Sequence, residues 1–131
     1  IKAFVDGVIA DVKAKGYAET ILGGRRPIEE LHSRNRQQVA LGERLAVNTV
    51  IQGSAADLIK RAMVDIHTAI KTQGLATRML VQVHDELVFE VRKDDVAAHT
   101  ALIREKMTTA LPFDVPIVVD IGTGRSWLDA K

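Results

Sequence analysis

Apolar residues recur with a helical period from the first position: Ile1, Phe4, Val5, Val8, Ile9 and Val12 fall on one stripe among charged neighbours. The spacing predicts a helix that ends near Lys15, because Gly16 supplies the left-handed backbone that stops a helix after a basic last turn. Tyr17 to Leu22 reads as a short extended piece. Gly23-Gly24 breaks the chain before Arg25-Arg26, and Pro27 marks a turn or loop. A second helical pattern covers about Ser33 to Asn48, with Val39, Leu41, Leu45 and Val47 as its apolar positions, and Gly53 is expected to break or kink it. A further helix then runs from about Ser54 to Thr72 on the stripe Leu58, Ile59, Ala62, Met63, Ile66 and Ile70, and Gly74 stops it. Ser54 and Asp57 have the spacing of a capping box, in which Asp57 would reach back to the cap amide.

The period then changes. Met79–Val83 and Leu87–Val91 are short, β-branched runs separated only by His84-Asp85-Glu86, which is hairpin spacing. Their apolar character predicts a buried sheet with an exposed tip. A third amphipathic helix covers about Asp94 to Leu111, with Asp94 as its cap, and Pro116 to Ile121 reads as a last strand before a Gly-rich turn and Trp127. This order of elements predicts an α+β fold in which an antiparallel sheet with one hairpin packs on long helices. No repeat, low-complexity tract or linker interrupts residues 1–131, so a single domain or piece of one is expected.

Composition narrows the class. A chain of 131 residues can bury roughly two-thirds of its unfolded surface, and 47% hydrophobic with 27% charged residues is ordinary for a soluble globular protein. No apolar run approaches the ~20 residues that span a bilayer, and no signal segment opens the chain. With no cysteine, disulfides and thiolate metal sites are excluded, and a reducing cytoplasm is the expected setting. The net charge of +1 hides an asymmetry: Arg25, Arg26, Arg34, Arg36, Arg44, Lys60 and Arg61 lie in the first half, whereas acidic residues dominate after about position 80. A basic first half suits a polyanion and an acidic second half suits a cation. The chain also opens inside a helical pattern without an initiator Met, which reads as a fragment.

Two arrangements could carry chemistry. His84, Asp85 and Glu86 form an ionisable hairpin tip, and a hard cation such as Mg²⁺ takes one or two carboxylates together with substrate phosphates. No partner carboxylate stands on a neighbouring strand, so the site looks half-built. Arg44, Asn48 and Gln52 recur every four residues and line one helix face. All three donate hydrogen bonds, and the minor groove presents acceptors at nearly the same place for every Watson–Crick pair. A row of donors could therefore check pair geometry without reading sequence. His32, His67 and His99 lack ligand-like spacing and read as surface or core residues. Trp127 reads as a packing residue, and Gly122 and Gly124 lack the context of a dinucleotide loop.

Five segments in register resemble family A DNA polymerases: Ser33-Arg34-Asn35-Arg36, Glu43 to Asn48, Gln52 to Asp57, Gln82 to Val88, and Gly122 to Trp127. The resemblance covers essentially the whole chain and implies the C-terminal part of a polymerase palm domain. The implied activity is DNA-directed DNA polymerase: template-directed dNTP addition to a primer 3′ end, in replication and repair, with two Mg²⁺ ions. It further implies that Asp85 ligates the metals, that Glu86 supports that site, and that His84 lies beside the primer terminus. Arg44, Asn48 and Gln52 would line the minor groove of the nascent duplex. Arg25 and Arg26 would belong to an Arg-rich turn, and Arg34 or Arg36 would touch phosphate. Here that turn reads Gly23-Gly24-Arg25-Arg26-Pro27, where the family has three arginines and a tyrosine, and Val50 replaces a common proline. The family's other metal aspartate and its nucleotide-binding fingers helix do not occur in these residues, so the chain alone is expected to be inactive. The implied partners are primer–template DNA, dNTPs and the rest of the polymerase chain (fingers, thumb and remaining palm), with no membrane. The rival readings are a non-catalytic duplex DNA-binding module and a metal-dependent phosphohydrolase, which would need a second carboxylate cluster.

Overall fold

The first helix forms as its periodicity requires. In a computed structural model, which describes residues 1–130, α1 spans Lys2–Lys15 and ends at Gly16, whose φ of 81° lets its amide donate to the Val12 carbonyl at 2.7 Å. Two short strands follow, β1 (Tyr17–Glu19) and β2 (Arg25–Pro27), paired antiparallel with Ala18 opposite Arg26. Pro27 is therefore the last residue of an outer strand rather than a turn, a position where its missing N–H costs no ladder bond. A 3-10 turn (Glu29–His32) leads to α2, Arg36–Gln73. Asn35 caps this helix: its Oδ1 accepts from the Gln37 amide at 2.9 Å.

The chain divides into two compact units, Ile1–Asp57 and Leu58–Lys131. In the first, Val12, Ala18, Ile28, Leu31 and Ala46 are buried together, with Val8, Val39, Leu45 and Val50 packed against them. α2 approaches closely at its glycines. A Cβ on Gly42 would lie 2.9 Å from the Leu31 amide nitrogen, and one on Gly53 would lie 2.5 Å from Thr20 Cγ2. Gly53 does not break the helix. The residue is there for clearance, and the expected pair of helices is one helix of 38 residues. With the helix continuous there is no N-terminus at Ser54 to cap, and Ser54 and Asp57 instead accept hydrogen bonds from the β1–β2 turn.

In the second unit, β3 (Arg78–Val83) and β4 (Glu86–Glu90) pair antiparallel, with a bulge between Met79 and Val81. The turn is only two residues long, His84-Asp85, because Glu86 already pairs with Val83. The expected buried sheet is not found: no residue of either strand is buried, and Leu80 is 53% exposed. The sheets are two separate two-stranded pairs rather than one. α3 spans Val96–Thr108, shorter than its periodicity predicts, and follows a 3-10 turn at Lys93–Asp95; Asp94 lies in that turn and does not cap it. Buried His99 of α3 bonds Thr77 Oγ1 through Nδ1 at 2.5 Å, which makes it a core histidine. Pro116 to Ile121 is not a strand. Its alternation survives, with Ile117, Val119 and Ile121 half-buried and the residues between them exposed, but no described strand pairs with it. Among the described residues, no helix is long and apolar enough to cross a membrane.

Candidate functional site

The donor row stands on the continuous part of α2 within the first unit. Arg44, Asn48 and Gln52 are all exposed. Each four-residue step advances about 6 Å along the axis and about 40° around it, so the row is a slightly slanted line. Ala46, fully buried, anchors the opposite side of the helix. Without a kink at Gly53, Gln52 keeps its place in that line.

The two arginines of β2 have different surroundings. Arg25 Nε bonds the Glu19 carboxylate at 2.7 Å, and its guanidinium lies 4.7 Å from the centre of the Tyr17 ring. The hydrogen bond to Glu19 holds its pKa above the ordinary value. Arg26 reaches only the Thr49 hydroxyl, at 3.5 Å, and has no ion-pair partner among the described residues. Arg34 and Arg36 are exposed on either side of the cap residue Asn35, at the helix end whose free amides favour an anion.

In the second unit His84, Asp85 and Glu86 are exposed. His84 has φ of 52°, a backbone region uncommon for residues other than glycine. Its carbonyl accepts from Gln82 Nε2 at 2.5 Å, which ties the turn to β3. Among the described residues no three His, Cys, Asp or Glu side chains group closely enough to hold a metal ion. Asp85 and Glu86 are neighbours in sequence and both exposed, and a Mg²⁺ site asks a protein for only one or two carboxylates, completing its shell with water and phosphate.

Sequence reasoning overlooked Thr20, and it read Ser54 and Asp57 as a capping box rather than as the side chains that hold the β1–β2 turn on α2; it also missed Thr49, which meets Arg26 of β2. Two signals were available. A glycine inside an otherwise continuous helix marks a close approach, and Thr49, Gly53 and Asp57 repeat every four residues beside the donor row.

Residues 1–129 match the model of DNA polymerase family A. The DNA polymerase I of Bacillus subtilis is 47% identical over all 131 residues, which correspond to 15% of that protein. The DNA polymerase I of Mycobacterium tuberculosis H37Rv is 46% identical over 127 residues, covering 97% of this chain and 14% of the relative. The thermostable DNA polymerase I of Thermus filiformis is 43% identical over 131 residues, covering the whole chain and 16% of the relative. Among solved structures, the POL domain of Pol1 from M. smegmatis, in complex with DNA primer-template and dNTP, superposes with a TM-score of 0.94 at 47% identity. That match covers 98% of this chain and 23% of the solved one. The chain thus spans about a seventh of the length of the relatives it matches. Across that span, this chain belongs to DNA polymerase family A.

Proposed function

We propose that this chain is the C-terminal palm segment of a DNA-directed DNA polymerase that extends a primer by two-metal nucleotidyl transfer. The observation that carries the reading is the unbroken α2, which sets Arg44, Asn48 and Gln52 on one exposed face in a family whose solved relative holds primer-template and dNTP. Each step of that row, about 6 Å, is close to twice the ~3.4 Å rise per base pair, so successive donors can meet pairs near the primer end. Donation to minor-groove acceptors is the same for all four pairs and fails when a mispair displaces them. Arg26, Arg34 and Arg36 would hold phosphates, with Arg25 a weaker contributor because Glu19 already occupies it.

Asp85, supported by Glu86, would hold Mg²⁺ at the hairpin tip, with His84 beside the primer terminus. When bound, the two ions lower the pKa of the primer 3′-hydroxyl and stabilise the departing pyrophosphate. The hairpin supplies carboxylates from one strand end only, so the second strand's carboxylate belongs to the rest of the polymerase, together with the dNTP-binding residues. Partners are accordingly primer–template DNA, dNTPs and the remaining polymerase chain. The alternative is a duplex-binding module without catalysis, which would use the arginines and amides alone. Such a module would bind duplex without any response to Mg²⁺.

Two assays test the proposal. The purified chain with Mg²⁺ and all four dNTPs should not extend primers. In the complete polymerase, Asp85→Asn should slow incorporation by about three decades, a barrier increase of roughly 4 kcal/mol, and Glu86→Gln should cost less. Wild-type turnover by Asp85→Asn at saturating DNA would refute the metal assignment.

A further inference from the structure

The turn Thr20–Gly24 joins β1 to β2, and its two large apolar residues are not buried: Ile21 and Leu22 at its tip are 50% and 54% exposed. Hydrogen bonds to one turn of α2 hold it instead. Thr20 Oγ1 donates to Asp57 Oδ2 at 2.5 Å and the Leu22 amide donates to the same oxygen at 3.0 Å, while the Ile21 amide donates to Ser54 Oγ at 3.0 Å. Thr20 Oγ1 also accepts the Gly24 amide at 2.9 Å, so one hydroxyl links the helix to both ends of the turn. Gly53 permits this approach, since any Cβ there would meet Thr20 Cγ2. Glycine inside a helix costs about 1 kcal/mol relative to alanine, so the contact is maintained against the helix's own preference.

What this clip controls lies two residues further along. Arg26 sits between two fixed points, Gly24 at the turn and Ile28, which is fully buried and donates its amide to the Gly16 carbonyl at 3.1 Å. β2 has only three residues and one partner strand, so loosening the turn leaves it anchored at one end. On α2, Thr49, Gly53 and Asp57 form a second four-residue row, offset by one residue from Arg44, Asn48 and Gln52. The clip therefore grips one row at Gly53 and Asp57, and Arg26 meets the same row at Thr49. Thr49 is the chain neighbour of Asn48 in the donor row. Arg25 is engaged by Glu19, which leaves Arg26 as the strand's available cation.

We propose that Asp57, assisted by Ser54 and Thr20, is a positioning residue that fixes the β1–β2 turn so that Arg26 meets a DNA phosphate beside the donor row. The inference rests on the reading of this face as a duplex-binding surface. Asp57 touches no DNA in this scheme; it acts through the turn.

The test is equilibrium binding of primer–template by the complete polymerase over a range of salt concentrations. Arg26→Ala should reduce the slope of log K against log[salt] by about 0.9, the value for one phosphate no longer neutralised. Asp57→Ala should reduce it by a similar amount, and the double variant by no more than either alone. Asp57→Asn should restore most of the slope, because both turn donors use a single oxygen that an amide carbonyl can replace. A residue that only supports folding would lower thermal stability without moving the slope or removing additivity. If Arg26→Ala reduces the slope and a folded Asp57→Ala does not, the positioning role is overturned and the duplex-binding surface stands. If Arg26→Ala itself leaves the slope unchanged, the phosphate contact fails and the inference with it. Should Asp57→Ala fail to fold, Thr20→Val and Ser54→Ala apply the same criterion: the combined variant must reduce the slope, and an unchanged slope overturns the proposal.

Discussion

The two units of the chain present their candidate residues on different kinds of support. In Ile1–Asp57 the donor row stands on a helix whose other side contributes to a buried cluster, and the neighbouring turn is clipped by side chains of the same unit. In the second unit the hairpin bearing Asp85 has no buried strand residue, and Pro116 to Ile121 keeps a strand's alternation without a described pairing partner. An isolated two-stranded hairpin is marginal in water, and stability comes from further strands or a covering helix. The proposed duplex-reading surface thus carries its own supports, whereas the proposed metal-binding tip would need strands from elsewhere in a polymerase. The proposed chemistry makes the same demand, since a two-metal site at that tip would take its second carboxylate from elsewhere.

Side-chain truncations should separate the two supports, the core under the donor row and the hairpin, most sharply. Ile28→Ala removes a fully buried side chain and should cost about 2–5 kcal/mol. Leu80→Ala, at a half-exposed position of β3, should stay within about 0.5 kcal/mol in this chain. Hydrogen exchange sharpens the same contrast: amides of α2 around Ala46 should be protected far longer than those of β3 and β4. Equal protection would mean that the hairpin is self-supporting.

Next in size are the donors. In the complete polymerase, Gln52→Ala or Arg44→Ala should weaken primer–template engagement by roughly 1–3 kcal/mol, about equally for A·T-rich and G·C-rich termini. Smallest is the effect of the cations proposed to hold phosphate. Arg34→Ala or Arg36→Ala should flatten the salt dependence of binding by about 0.9 in slope for each phosphate left without its arginine, and the ratio of matched to mismatched extension should not change.

Local chemistry made much of this legible in the sequence. The Gly16 terminator, the hairpin around His84 and the four-residue row on α2 all depend on interactions within a few positions. Errors arose where distant residues decided. Gly53 looked like a helix break because its reason, the methyl group of Thr20, lies far back along the chain. Ser54 and Asp57 looked like a capping box because their real partners are amides and a hydroxyl of the β1–β2 turn. The apolar strands around Asp85 looked buried because their composition anticipates cover that these residues do not provide. Pro116 to Ile121 shows the same thing: the pattern specifies a strand, but a ladder needs a second one.

The central claim is a division of labour, with the helix face of the first unit engaging the duplex and the hairpin of the second performing metal chemistry. Single-turnover nucleotide incorporation by the complete polymerase, titrated with matched and mismatched primer–template, reads both at once. Asp85→Asn should lower the maximal rate about a thousandfold and leave the DNA dissociation constant unchanged. Gln52→Ala should raise that constant and alter the matched-to-mismatched ratio. If Asp85→Asn retains its rate, or if Gln52→Ala binds and discriminates as the unmutated enzyme does, the corresponding half of the account is contradicted.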